Sequence, residues 1–331
     1  MARKHHLLDE DDIRVRPGRG KSRPRSKDRP DHAQALPGIV ITVDRGRFTV
    51  ELDDGTVAYA VKARELGRKG LVVGDRVDII GDTSGDTDTQ GRIVRRLERD
   101  STLRRTADDT DPVERVIVAN ATQLAVVTST TDPAPRTGLI DRALVAAYDA
   151  GIAPMLVITK IDLKPPTDLL ALYGPLDVPL HLIAGRQVPA DLVDALRDTI
   201  TVLVGHSGVG KSTLVNNLVP TAERSTGHVN AVTGKGRHTS TSVMALHLPG
   251  GGWIIDTPGI RSFGLAHVDL DRVITAFPDL DALTGDCPRA CSHDEPECAL
   301  NAAHDPQVLA RIDSLRRMIR SRTVDDDQHG N

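Results

Sequence analysis

The run Gly205-His206-Ser207-Gly208-Val209-Gly210-Lys211-Ser212-Thr213 has the GxxxxGK[ST] spacing of a loop that wraps phosphates. Its glycines let successive backbone N–H groups turn inward, and the helix that follows adds its N-terminal dipole. Lys211 would reach the β- and γ-phosphates, and Ser212 would set its hydroxyl on Mg²⁺. Downstream, Trp253-Ile254-Ile255-Asp256-Thr257-Pro258-Gly259 reads as a buried strand delivering Asp256 to the metal side of the phosphates, with Gly259 completing a DxxG motif. Thr159-Lys160-Ile161-Asp162 is the candidate base reader. The Asp162 carboxylate can accept from the N1–H and N2 amino group of guanine, which adenine lacks, while the Lys160 stem covers the ring. GTP is therefore expected in preference to ATP. This motif precedes the phosphate loop in the chain, the reverse of the usual order, so the domain reads as circularly permuted. Permutation preserves such a site because it is defined in space, and new termini open at the surface.

Turnover also needs a group that orients water. Ile260 follows Gly259 where glutamine is common, and its side chain cannot hydrogen-bond. The hydroxyl-rich stretch 233–242 holds His238, whose imidazole can position water or take its proton near neutral pH. The alternative is that His238 only binds a partner. Thr239, Ser240 and Thr241 offer hydroxyls to complete the Mg²⁺ shell, with Thr239 or Thr241 preferred. The expected catalytic set is thus His238, Lys211, Ser212 and Thr239, and basal turnover should be slow and raised by a partner. Separately, Cys287, Cys291, His293 and Cys298 supply three sulfurs and one imidazole. That set fits a closed, tetrahedral, structural Zn²⁺ site; His304 is the alternative imidazole. The segment is too polar, with Pro288, Asp294, Glu295 and Pro296, to bury free thiols without a metal.

Three regions must position these groups. Between 38 and 97, five short β-rich runs separated by turn residues predict a small barrel, with the oligonucleotide-binding type leading. Phe48 and Tyr59 are its only aromatics, so contact with RNA would rest on charge and shape, and Arg95, Arg96, Arg99, Arg104 and Arg105 form a basic stripe at its exit. A barrel used only for packing is the plainer reading. From about 113 to 275, apolar strands at 124–129, 155–158, 180–184 and 201–204 alternate with helices at 139–150 and 190–199. That pattern predicts a mostly parallel sheet covered on both faces, with ligands beyond the strands' C-terminal ends, where the motifs fall. The last region holds the cysteine cluster and a helix over 306–320, with Val308, Ile312, Leu315 and Ile319 at helical spacing. The expected division is a basic tail (1–35), a barrel (36–110), the nucleotide domain (111–275), a zinc module (276–322) and a polar tail (323–331).

Bulk properties narrow the class. With 331 residues and 39% hydrophobic content the chain can build several cores, though only 2% is aromatic. No stretch approaches roughly 18 uncharged apolar residues, and no apolar segment follows the N-terminus, so neither a membrane span nor secretion is expected. Three clustered cysteines suit a reducing compartment, and cytoplasm is the expected location. Net charge is −4, yet arginines and lysines interleaved with Gly, Pro and Ser fill residues 14–29. Such a segment cannot form a core; it reads as a disordered solubilising tail or an arm for a phosphate backbone.

Together these residues resemble the ribosome small-subunit-dependent GTPase A family over roughly 36–322. The matching elements are Val73-Gly74-Asp75, Ala119-Asn120, Asp141-Arg142, Lys160-Ile161-Asp162-Leu163, the phosphate loop, Gly236-Arg237-His238-Thr239, Asp256-Thr257-Pro258-Gly259-Ile260-Arg261 and the Cys/His cluster. The resemblance implies an oligonucleotide-binding-type barrel, a circularly permuted α/β P-loop GTPase and a zinc module. Its flanking modules would grip 16S rRNA, with 30S particles stimulating hydrolysis and hydrolysis releasing the factor late in assembly. His238 matches the family's proposed water-positioning residue. Thr159 stands where the family has Asn, and Ile183-Ala184-Gly185 where it has a guanine-supporting Ser-Ala segment, so only the Ala184 backbone amide carries over. Asymmetric recognition of one particle points to a monomer. Two rival classes are a GTP-controlled RNA-binding placeholder with negligible turnover, which Ile260 favours, and a nucleotide enzyme acting on a small metabolite, for which no acceptor pocket is visible.

Overall fold

The computed structural model describes residues 32–67, 70–86, 89–106, 114–220, 243–257, 265 and 268–321. The basic tail, His238, Thr239, Ser240, Thr241, Gly259 and Ile260 lie outside the described residues.

Five strands form the first unit: β1 (Leu36–Asp44), β2 (Arg47–Leu52), β3 (Val57–Lys62), β4 (Arg76–Gly81) and β5 (Gly91–Arg96). Arg45 and Gly46, both at positive φ, make the two-residue turn between β1 and β2, the twist that suits a tight hairpin. β3 pairs with β5 in parallel, β5 with β4, and β4 returns to β1, so the sheet closes on itself in the 1-2-3-5-4 order of an oligonucleotide-binding barrel. Val40, Phe48, Val50, Val77, Ile79 and Ile93 fill it. The strand expected from residue 72 starts only at Arg76. Gly74 sits at φ +89, where a Cβ would lie 2.0 Å from the Ala119 carbonyl. The buried Asp75 carboxylate accepts from Val72 N–H (2.8 Å) and from Arg99 Nε and Nη2 (2.7 and 2.9 Å). The basic stripe is therefore partly paired: Arg99 is mostly buried and locked on Asp75, while the exposed Arg95 pairs with Asp78 at 3.1 Å.

A hairpin not foreseen from the sequence follows, β6 (Thr102–Thr106) with β7 (Glu114–Ala119). It leads into the nucleotide domain: β8 (Gln123–Ser129), α1 (Thr137–Asp149), β9 (Ala153–Thr159), α2 (Thr167–Tyr173), β10 (Leu180–Leu182), α3 (Ala190–Ala195), β11 (Ile200–Val204), α4 (Lys211–Leu218), β12 (Met244–His247) and β13 (Trp253–Asp256). The strand order is β10-β9-β8-β11-β13-β12, parallel except for β12. Alternate residues sort to opposite faces, as a pleated strand requires. Leu124, Val126, Leu156, Ile158 and Val202 pack under α1, while Ala125, Val127, Met155, Val157 and Leu203 pack under α3 and α4. α3 ends at Ala195, short of the expected 199, where Asp198 turns into positive φ. β12 also touches β1 at Thr42↔Met244, joining barrel and nucleotide sheet into one.

The C-terminal elements are α5 (Leu270–Thr275), α6 (Pro278–Asp281) and α7 (Pro306–Arg320). Their apolar side chains do not form a separate core. Phe277, Leu280, Leu300, Ile312, Leu315 and Met318 belong to the same buried cluster as Ile140 and Leu144 of α1. Arg317 Nε reaches the buried Asp141 at 3.1 Å and stacks its guanidinium 5.0 Å over the Tyr173 ring. Among the described residues no helix is long and apolar enough to cross a membrane.

Candidate nucleotide site and metal centre

β11 hands the chain to the phosphate loop at Gly205, whose φ is +149 and where a Cβ would stand 2.2 Å from the Val127 carbonyl. Only glycine lets the loop lie this close to β8. The loop ends at Gly210, in left-handed conformation (φ +102), and α4 begins at Lys211. The Lys211 ammonium donates to the carbonyls of Gly205 and His206, so the loop curls around it. Burial pushes its pKa down, opposed by Asp256. Asp256 ends β13; burial pushes its carboxyl up while Lys211 pulls it down. Its Oδ1 is buried without a hydrogen-bond partner among the described residues. An orphaned carboxylate oxygen facing a phosphate-loop lysine fits a hard cation such as Mg²⁺, which prefers oxygen ligands. Ser212 is exposed on the first turn of α4, and Thr257 anchors the end of β13 by donating to Leu203 O at 2.6 Å.

Thr159, at the end of β9, places its hydroxyl 2.7 Å from the Val209 carbonyl of the phosphate loop and 3.1 Å from Thr128 O. One proton can serve only the nearer acceptor well, so a threonine hydroxyl ties the base motif to the phosphate loop. Lys160, at φ +59, donates its ammonium to the Asp132 carbonyl, and Asp162 Oδ1 accepts from Gly185 N–H at 2.8 Å. Thr159, Lys160 and Asp162 line a 290 Å³ pocket together with Gly210 and Thr213, so motifs inverted in the chain meet in one cavity. Ile183 and Gly185 form its wall, and Ala184 lies exposed between them. Sequence reasoning missed Arg186, Val188 and Asn217, which also line the pocket. Asn217 Nδ2 donates to Arg186 O at 2.5 Å, fastening α4 to the wall. An asparagine inside a helix is a weak helix former, and that was the only signal available.

The cysteine cluster is assembled as expected. Ligand atoms of Cys287, Cys291, His293 and Cys298 all lie within 4.8 Å of one another. Cys287 Sγ is 3.8 Å from both Cys298 Sγ and His293 Nδ1, and Cys298 Sγ is 3.9 Å from His293 Nδ1. Metal–sulfur bonds of about 2.3 Å in a tetrahedron give sulfur–sulfur edges near these values, so the donor set fits zinc. His293 is buried, which lowers its pKa and favours the neutral imidazole that a metal needs. Outer partners hold the loop: His293 N–H donates to Cys291 Sγ at 3.3 Å, and Arg316 Nε of α7 donates to His293 O at 2.8 Å.

Comparison with known proteins agrees with this geometry. The family model described as RsgA GTPase matches residues 96–266. The chain is 41% identical over 268 residues to the small ribosomal subunit biogenesis GTPase RsgA of Ectopseudomonas mendocina, covering 77% of this chain and 76% of the relative.

The chain belongs to the RsgA GTPase family.

A second RsgA, from Chlorobaculum parvum, is 37% identical over 301 residues, 86% of this chain and 95% of that protein. YjeQ from Thermotoga maritima superposes with a TM-score of 0.61 at 25% identity, covering 87% of this chain and 98% of its own. YloQ, described as a circularly permuted GTPase, gives 0.62 at 24% identity, covering 90% and 100%. The fold is thus the RsgA arrangement of barrel, permuted α/β GTPase and Cys₃His module, and the protein is a GTP-hydrolysing enzyme that uses Mg²⁺ with GTP and carries a structural zinc site.

Proposed function

We propose that the protein is a cytoplasmic GTPase of small ribosomal subunit biogenesis, which binds the 30S subunit through 16S rRNA and couples hydrolysis to its own release late in maturation. The observation that carries the guanine-nucleotide part is the shared pocket of Asp162 and the phosphate-loop helix. The ribosomal part rests on membership of the RsgA family. Asp162 reads the guanine edge, the Lys160 stem covers the ring, and the Ala184 amide supports the base. The amides of residues 205–213 hold the phosphates, Lys211 neutralises the charge that grows on them, and Ser212, Thr239 and Asp256 hold the metal. Mg²⁺, when bound, draws charge from the phosphate oxygens. His238 orients water in place of the apolar Ile260, so replacing it with Ala should abolish partner-stimulated turnover; an unchanged rate would exclude it. Cys287, Cys291, His293 and Cys298 hold zinc as a structural ion. The working division is 36–110, 111–275 and 276–322 for barrel, GTPase and zinc module, and the protein acts as a monomer.

Ile260 favours a second reading, a GTP-controlled placeholder with negligible turnover. One measurement separates the two: GTP turnover of the purified protein alone, with 30S subunits, and with 50S subunits as control. A rise with 30S particles alone is expected. No 30S-specific rise would remove the assigned partner.

A further inference from the structure

We propose that His181 is a positioning residue for guanine recognition, its bond to Asp191 pinning together the two ends of the loop that walls the base pocket. The inference rests on the role proposed above for Asp162. Among the described residues β10 is an edge strand paired with β9 alone, and the chain leaves it at Leu182 and re-enters regular structure at Ala190, the start of α3. Between them lie Ile183, Gly185, Arg186 and Val188, the pocket wall, with Gly185 N–H already on Asp162 Oδ1. Residues 184–187 are exposed and gain little from packing. The near end is held by backbone bonds, Ile183 N–H to Ile158 O (2.8 Å) and Ile161 N–H to Ile183 O (3.3 Å). Across the mouth of the loop stands the His181–Asp191 contact, Nδ1 to Oδ2 at 2.8 Å.

The chemistry of that contact fixes its direction. Asp191 is exposed and hydrogen bonding from His181 keeps its carboxyl below the ordinary range, so it is an acceptor and Nδ1 carries the proton. His181 Nε2 is buried with no partner among the described residues. The imidazole thus makes its single bond outward, to an exposed carboxylate beyond the loop. Holding the loop mouth closed removes freedom that guanine binding would otherwise have to remove. The benefit falls on bases that touch the wall and Asp162, and much less on the phosphates.

The test uses the full-length protein and calorimetric titration with GDP, IDP and ADP. IDP lacks the N2 amino group, so the GDP-to-IDP ratio reports how well Asp162 and its wall are placed. Asp191→Ala, at an exposed position, should raise the Kd for GDP about tenfold, with a smaller rise for IDP, so the ratio shrinks. In turnover the loss should fall on KM for GTP rather than on kcat. His181→Asn keeps a donor near the Nδ1 position and should recover most of the affinity that His181→Leu loses. An unchanged GDP Kd in Asp191→Ala, or equal weakening of GDP and IDP alongside a lower melting temperature, would overturn the proposal. Wild-type protein that fails to prefer GDP to ADP would instead sink the guanine assignment itself, and this inference with it.

Discussion

Asp162 meets its pocket with Oδ1 held by the Gly185 amide, and in the proposed role the rest of the carboxylate accepts from the N1–H and N2 amino group of guanine. Replacing it with asparagine exchanges an acceptor for a donor. Asp162→Asn should therefore weaken GDP about a hundredfold and strengthen XDP, whose C2 oxygen accepts, as calorimetry with the two nucleotides would read. Thr159 presents a different economy of atoms, one hydroxyl bridging to Val209 where a longer amide is usual. Thr159→Val leaves that buried carbonyl without its donor and should cost about 1 to 3 kcal/mol in urea unfolding, while Thr159→Ser keeps most of it. Both residues stood out in the sequence because the TKxD string, weak by itself, follows an apolar run and precedes the phosphate loop. Asn217, Arg186 and His181 were not, because their importance lies in which loop they touch.

At the level of elements, the helix expected over 306–320 forms as α7 over Pro306–Arg320. Its cap explains the start: the Asp305 carboxylate accepts from Gln307 and Val308 N–H at 2.8 and 3.2 Å, with Pro306 in the first turn. Asp305→Ala should lower stability by about 1 kcal/mol, seen as a drop in melting temperature. The apolar strands β8, β9 and β11 were equally legible, since continuous Val, Leu and Ile runs suit a doubly covered sheet. The β6–β7 hairpin was hidden because Arg104 and Arg105 interrupt any simple alternation, and its partners include the distant Val73. Also unreadable was the contact of α7 with α1 through Arg317 and Asp141. Burial raises the Asp141 pKa despite the opposing Arg317, so between its unfolded and folded pKa values stability falls as pH rises. Arg317→Ala should widen that window: the variant loses about 2 to 3 kcal/mol at neutral pH, and less as acid protonates Asp141. Unfolding measured across pH checks the sign.

Over the whole molecule, one buried cluster runs from α1 through Phe277 to α7, with Cys298 inside it. Loss of zinc should therefore be felt by the GTPase domain. Adding a zinc chelator, or making Cys298→Ser, is expected to lower the melting temperature of the full chain by roughly several degrees. A scan in which the nucleotide-stabilised transition stayed put while a small separate one vanished would contradict this. At the other end, Met244 of β12 rests against Thr42 of β1. Any attempt to express the first hundred or so residues alone would take that neighbour away, baring backbone groups of β1 around Thr42, beyond the stretch that β4 covers, and giving other chains a place to stack. Fragments cut between barrel and GTPase should clump, and the two halves should stay soluble best when they are synthesised together.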